Sequence, residues 1–225
     1  VRLRLVAVRV LDVQPWSGPT DGATVVSVRA GGAWPGGLRC RFGEGAPQSS
    51  WGGVGGGRLR CVTPPSGALG VLAGVAGSPT SSGVVGGEFG GVLGGWVSVQ
   101  LLSYHGVLAS GGSFYYHGAL LASGVAPAVG PERGGTRVAV LGGGFRDAYT
   151  LRCAFGSAAA PVLARYVDNA QLECTSAVHS VGGAAVMLSM NGQQYALGGA
   201  RFTYQRAAAV SHVSPTAAPS EGGTP

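Results

Sequence analysis

Apolar and polar residues alternate along most of this chain with a period of two residues. The clearest runs are Leu38, Cys40 and Phe42; Val138 and Val140; Val186, Leu188 and Met190; Phe202 and Tyr204. Glycine- and proline-rich stretches bound these runs, and Asn191-Gly192 follows one of them with the sequence of a tight hairpin turn. Helical periodicity is hard to find. The pattern predicts an all-β protein built of short strands and turns.

The turns and strands repeat along the chain. A Pro-x3-Pro-x2-Gly-x-Thr motif begins at Pro15, again at Pro127 and again at Pro215. After the first two copies, an L-R-C-x-F-G strand, an L-x-C strand and a closing F-x-Y strand return at matched spacing. Only the last of these intervals differs by more than one residue, because 53 residues separate Cys61 from Phe114 whereas 28 separate Cys174 from Phe202. A repeat of this length predicts one small domain used in series.

The repeat divides the chain into four predicted segments. They are the end of a preceding domain (1–10), a first repeat domain with an insertion at about 66–96 (11–118), a second repeat domain (119–206) and the start of a third (207–225). We therefore expect the chain to be a piece of a longer array.

Composition supports two small domains. The chain has 225 residues with 43 glycines and 13 prolines, and no apolar run is long enough to cross a membrane. The net charge of +6 is spread along the chain without a basic aromatic surface or a groove-reading element, so we expect no nucleic-acid partner. Any membrane attachment would lie in other parts of the parent protein.

The four cysteines fall two per repeat. Because each copy in a tandem array must be self-sufficient, repeat symmetry selects the disulfides Cys40–Cys61 and Cys153–Cys174 among the three possible pairings. Disulfides indicate an oxidising compartment. The alternative is two pairs of buried thiols in an intracellular protein. A zinc site is disfavoured because no C-x-x-C motif is present.

The order of these motifs resembles the IPT/TIG domain. In residues 127–204 the resemblance rests on Gly134-Gly135-Thr136, Gly142-Gly143-Gly144-Phe145, Cys153-Ala154-Phe155-Gly156, Leu172-x-Cys174, Asn191-Gly192 and Phe202-x-Tyr204. The first copy is looser, with Ala23 for the second glycine and Trp34 at the corner phenylalanine. The resemblance implies tandem immunoglobulin-like β-sandwiches. It also implies a setting like that of plexins, MET-type receptors and fibrocystin-like ectodomains, where tandem copies act as extracellular spacers and adhesion modules.

Candidate chemistry is sparse. The nine acidic residues show no spacing that favours a general acid and base, and no phosphate loop, nucleophile elbow or calcium loop is present. We expect a non-enzyme without a cofactor. The family motif itself carries no catalytic site.

Two features distinguish the first copy. Alternation places Arg39, Arg41, Arg58 and Arg60 outward, and the disulfide could gather them into one patch that docks an acidic protein segment or an anionic glycan. The other interpretation is a solvated strand face in an arginine-rich chain.

The second feature is the insertion, which is apolar and nearly uncharged. Phe89 and Trp96 within it are candidate contacts for a neighbouring domain or subunit, and a mobile loop is the alternative. Residues 78–82 could carry O-linked sugar or form a plain loop.

The sequence thus predicts a non-catalytic structural or adhesion module of a large extracellular or cell-surface protein, with the ciliary surface as one candidate place. Its partners would be proteins or neighbouring copies, with an anionic glycan as a second class. Two alternatives stay open. One is a glycan-binding module using Trp34, Trp51 or Trp96 as a platform, and the other is an intracellular scaffold of the transcription-factor type with reduced thiols.

Overall fold

The computed structural model describes residues 8–32, 34, 37–53, 57–69, 94–157 and 160–223. Sixteen strands and one 3-10 turn at Ser66–Leu69 account for the regular structure of these residues. The first eight strands are β1 Arg9–Gln14, β2 Ser17–Pro19, β3 Val25–Gly31, β4 Arg39–Phe42, β5 Gln48–Trp51, β6 Arg58–Val62, β7 Gly95–Ser103 and β8 Gly106–His117. The second eight are β9 Leu121–Ala126, β10 Val129–Pro131, β11 Arg137–Gly143, β12 Arg152–Phe155, β13 Val162–Asp168, β14 Gln171–Thr175, β15 Gly182–Ser189 and β16 Ala196–Gln205. The predicted all-β fold is confirmed.

The two repeats fold with the same strand order. The first runs β1-β3-β6-β5-β4-β7-β8-β2, and the second runs β9-β11-β14-β13-β12-β15-β16-β10. In each, the fifth strand pairs with both the fourth and the sixth, so it joins the two layers at one edge of an immunoglobulin-like sandwich. We call the two sandwiches the first and second domain.

Strand β1 begins earlier than the sequence predicts. Arg9 pairs with Gly31 and Val10 pairs with Ala30 in the antiparallel β1–β3 ladder. These residues therefore belong to the first domain, which corrects the predicted boundary after residue 10. Alternation alone could not place that boundary, because it does not say which strand is the partner.

Each domain closes on a matched aromatic cluster. Phe114 and Tyr116 on β8 have ring centroids 5.0 Å apart, and Phe202 and Tyr204 on β16 have centroids 4.9 Å apart. Both tyrosines are almost fully buried, and each hydroxyl donates a 2.8 Å hydrogen bond to a backbone carbonyl, that of Pro64 or Ala177. Burial raises the pKa of both tyrosines. The closing F-x-Y motif is thus a core element with its polar tips satisfied.

The Pro-x3-Pro-x2-Gly motif forms the same turn three times. The N–H of Gly22, Gly134 and Gly222 donates to the carbonyl of Pro19, Pro131 and Pro219 at 3.0, 2.9 and 3.1 Å respectively. All three glycines have a positive φ. The next residue also has a positive φ, which Gly135 and Gly223 adopt freely, whereas Ala23 adopts φ 61° with a Cβ present.

The third copy shows its opening turn and no strand among residues 207–223. Most of the insertion, residues 70–93, lies outside the described part of the chain. The predicted contact residue Phe89 and the candidate sugar-bearing residues 78–82 lie there, so those expectations stay predictions.

Candidate functional site

Both cysteine pairs lie inside the sandwiches. Cys40 is bonded to Cys61 and Cys153 to Cys174, each with a Cα–Cα distance of 6.3 Å. All four are at most 2% exposed. Each bond joins the inner face of a strand in one layer (β4 or β12) to the inner face of a strand in the other (β6 or β14). No cysteine in the described residues is free.

The disulfide separates the four arginines that the sequence suggested as one patch. Cys40 and Cys61 point towards each other across the sandwich, so the residues that flank them point away from each other. Arg39 and Arg41 lie on the outer face of β4, where the Arg41 guanidinium donates to Gln100 Oε1. Arg58 and Arg60 leave through the outer face of β6. One patch of four is therefore wrong.

Arg58 and Arg60 instead lie beside a third arginine that sequence reasoning missed. In the β3–β6 ladder, Arg29 is directly opposite Arg58, and Ser27 is opposite Arg60. Trp51 on β5 is opposite Arg60 from the other side and is 46% exposed. We call Arg29, Arg58, Arg60 and Trp51 the arginine face. The alternation of Arg29 with Val28 and Ala30 was the available signal.

The second domain uses the same register differently. Glu173 on β14 takes the place of Arg60, and it lies between Arg137 on β11 and Arg165 on β13. Its carboxylate bonds both, with Arg137 Nε 3.2 Å from Oε1. The Arg165 hydrogen bond holds the pKa of Glu173 below its usual range. This outer face therefore carries a carboxylate in contact with both of its arginines, unlike the arginine face.

A polar latch joins the two domains. The Gln193 amide pairs with the backbone of Val25 at two points: the Val25 N–H donates to Oε1 at 2.9 Å, and Nε2 donates to the Val25 carbonyl at 2.8 Å. Gln194 Nε2 donates to the Ala23 carbonyl at 2.8 Å, and Thr24 Oγ1 donates to Gln194 Oε1 at 3.2 Å. The Asn191 side chain accepts from the N–H of both glutamines, so it braces the hairpin that carries them.

Aromatic rings fill the rest of this junction. Trp16 stacks on Trp96 with centroids 5.5 Å apart, and Trp96 lies 5.2 Å from Tyr115. Trp16 also packs against the core cluster of the second domain. From the second domain, the Arg146 guanidinium lies 4.3 Å above the Tyr115 ring. Trp96, a predicted partner contact, therefore contacts another part of the same chain.

The three tryptophans that the sequence suggested as sugar platforms lie in different environments. Trp34 is buried in the first core, where its indole N–H donates to the Gly53 carbonyl at 2.8 Å. Trp96 lies in the junction stack. Trp51 is thus the candidate whose indole is exposed without a ring partner among the described residues.

His117 ends β8 beside the junction as a buried ionisable group. Its Nδ1 lies 2.8 Å from the Gly118 carbonyl, so Nδ1–H donates there, and Nε2 has no partner among the described residues. Burial lowers the pKa of this imidazole. His117 is therefore a buried, neutral residue at neutral pH.

The described residues hold no cluster of three or more His, Cys, Asp or Glu that could bind a metal. Within the same residues, no helix has the length and apolarity needed to cross a membrane.

Comparisons with known proteins agree with this architecture. Residues 121–204 match the family model of the IPT/TIG domain. The chain is similar to a structure of the plexin A4 full extracellular region, domains 1 to 10, with a TM-score of 0.57 and 16% identity over 92% of this chain and 16% of that chain. A second plexin A4 structure, with domains 1 to 8, gives a TM-score of 0.50 and 17% identity over 88% of this chain and 18% of that chain. The chain thus spans less than a fifth of these plexin chains, and at such identities the likeness shows the fold. None of the curated protein sequences matches it.

The strand order and the paired disulfides define a protein of tandem immunoglobulin-like β-sandwiches. Its second sandwich is an IPT/TIG domain. The first shares that domain's strand order, its disulfide and its closing aromatic pair. The predicted tandem immunoglobulin-like organisation is confirmed, and the family match covers its second sandwich.

Proposed function

We propose that this chain is a non-catalytic spacer and assembly segment of an extracellular or cell-surface protein. IPT/TIG sandwiches would be joined end to end at a fixed angle and would present their outer sheet faces to partner proteins or to neighbouring copies. The observation that carries this proposal is the junction, where two glutamine side chains and one arginine of the second domain bind the first domain directly.

The chemistry of the junction favours a fixed angle over a flexible link. The Gln193 amide bonds both the N–H and the carbonyl of Val25, so it fixes the orientation of the two domains at this point as well as their distance. The Arg146–Tyr115 contact adds attraction at a second point. Two separate attachments restrict rotation about either one, because a hinge about the first would break the second.

An extracellular setting is supported by the buried disulfide in each domain, since such bonds persist in oxidising compartments. The intracellular alternative requires the same cysteines to be thiols. Counting free thiols after unfolding in denaturant, in protein purified without reductant, separates the two settings, because buried thiols react only once the chain is unfolded. The proposal expects none, and four titratable thiols would overturn the extracellular part.

Residual dipolar couplings test the spacer part directly. If the junction is fixed, amide couplings from both domains fit one common alignment tensor. We expect the variant Arg146→Ala/Gln193→Ala/Gln194→Ala to need two tensors while each domain keeps its own amide spectrum. A matched control, Arg201→Ala/Gln48→Ala, changes the same residue types away from the junction and should keep one tensor. Two tensors in the unaltered protein would overturn the spacer proposal.

A further inference from the structure

The arginine face carries three like charges at positions where the sandwich fold does not require them. Arg29 and Arg58 are directly opposite on β3 and β6, and Arg60 follows two residues along the same strand face. Like charges opposite each other across a sheet are destabilising. In the described part of the chain, Glu173 is the acidic partner in every ion pair. None of these three guanidiniums therefore has a carboxylate of the described residues within 4.0 Å.

The second domain shows that this charge is a property of the first domain and not of the sandwich. At the same register it carries Leu141 opposite Gln171, and Glu173 where the first domain has Arg60. Its two arginines on this face, Arg137 and Arg165, share the carboxylate of Glu173. The first domain has one acid beside its arginines, Asp12, which is opposite Arg29 on β1 and accepts a hydrogen bond from Gln14.

The shape of the face indicates the kind of anion. The arginines lie in two adjacent strand rows, with directly opposed Cα atoms about 5 Å apart and successive outward residues about 7 Å apart along a strand. An arginine fork binds planar or tetrahedral oxyanions at two points. Beside Arg60, the half-exposed Trp51 indole offers a flat apolar surface. A row of anion sites beside one exposed indole suits a linear chain that alternates charged groups with apolar sugar faces.

We propose that the arginine face binds a sulfated polysaccharide, with sulfate groups held by Arg29, Arg58 and Arg60 and one sugar ring stacked on Trp51. This surface is separate from the junction, so its failure and that of the spacer function are measured independently. An acidic peptide would use the arginines but has no sugar ring for the exposed indole, which is why the glycan is favoured.

Binding of a heparin-derived octasaccharide to the intact chain, measured by calorimetry at about 0.15 M ionic strength, tests the proposal. We expect Arg29→Gln/Arg58→Gln/Arg60→Gln to weaken binding by about a hundredfold or more, because three charge-assisted contacts are lost. The control Arg39→Gln/Arg41→Gln/Arg201→Gln removes the same charge elsewhere and should weaken binding by less than about threefold, because only long-range attraction falls. Thermal unfolding by circular dichroism checks that each variant is folded.

Two further ligands separate a glycan from a generic polyanion. A desulfated octasaccharide of the same length should not bind measurably. Trp51→Ala should weaken the sulfated octasaccharide by about tenfold, as expected for loss of one stacked ring, and leave polyglutamate binding unchanged. The proposal is overturned if the unaltered chain does not bind the sulfated octasaccharide, or if the control variant loses as much as the triple variant. It is also overturned if polyglutamate binds equally well and Trp51→Ala changes neither, in which case the face serves acidic protein segments.

Discussion

Gln193 of the second domain binds both the N–H and the carbonyl of Val25 in the first, at 2.9 and 2.8 Å. The contact joins residues 168 positions apart in the chain. Val25 is the first residue of β3, which follows the repeated proline–glycine turn. The most strongly repeated motif of the sequence thus leads directly into the receiving surface for the neighbouring domain.

Removing the latch should uncouple the two domains. The two side chains make four neutral hydrogen bonds to the first domain. We expect Gln193→Ala/Gln194→Ala to lower the free energy of unfolding of the second domain by about 4 kcal/mol, since each such bond contributes about 1 kcal/mol. Urea unfolding followed by domain-resolved amide signals measures this. Gln48→Ala is the matched control, because the Gln48 amide donates only to the nearby Ala46 carbonyl. An equal loss in the control would contradict the assignment.

Ala23 should respond favourably to loss of its Cβ. Its φ of 61° is left-handed, where an L side chain costs about 1–2 kcal/mol. Glycine removes this strain, but it also raises the conformational entropy of the unfolded chain, which offsets part of the gain. We therefore expect Ala23→Gly to raise the free energy of unfolding of the first domain by about 0.5–1 kcal/mol. Its carbonyl still accepts from Gln194.

The reciprocal change in the second domain tests the same cause. A Cβ at Gly135 would meet no atom within 4 Å, so Gly135→Ala should cost about 1 kcal/mol through the φ of 82° alone. Urea unfolding of both variants gives the two values. Effects of the same sign at the two positions would contradict the backbone explanation.

Each disulfide should stabilise its own domain. The two cysteines of each pair are 21 residues apart, so each bond contributes about 3 kcal/mol by restricting the unfolded chain. Cys153→Ala/Cys174→Ala should therefore lower the free energy of unfolding of the second domain by that amount and leave the first domain within about 0.5 kcal/mol, since distant sites are nearly additive. Equal losses in both domains would show that the pairing within each repeat is wrong in solution.

His117 should make the first domain sensitive to acid. Burial places its folded pKa below the ordinary value of 6.5, so the unfolded chain binds the proton more readily than the folded one. The stability that depends on neutral His117 is therefore fully present above pH 6.5 and is lost as the pH falls from there towards the folded pKa.

The matched measurement compares urea unfolding of the chain and of His117→Gln between pH 8 and pH 5. We expect the variant to lose most of the decrease seen in the first domain below pH 6.5. His105→Gln, at an exposed hairpin tip, is the control and should keep the decrease. An unchanged pH profile in His117→Gln would assign the acid sensitivity to other groups.

The fold was largely readable from the chain. Alternation identified the strands at Leu38–Phe42 and Phe202–Tyr204, and the repeat gave the tandem order, because both depend on local residue patterns. The start of β1 was misplaced, since its pairing with β3 depends on a partner strand some twenty residues away.

The candidate sites depended more heavily on tertiary structure. Alternation correctly predicted that Arg39, Arg41, Arg58 and Arg60 point away from the core. It could not predict which outer face each pair occupies, because that depends on how the two layers of the sandwich pack. Cys40 and Cys61 face each other across the sandwich, so the two arginine pairs lie on different outer faces, and strand pairing places Arg29 and Trp51 beside Arg58 and Arg60. Trp96 was expected to meet a partner, and it stacks on Trp16 in the junction.

The sequence by itself determined which residues point inward, where the turns fall and that the domains repeat, since period, glycine and proline act over a few residues. Only the tertiary structure decided which arginines share a face and that Gln193 binds Val25. Those relationships join residues distant in the chain, and they are created when strands pair and domains pack.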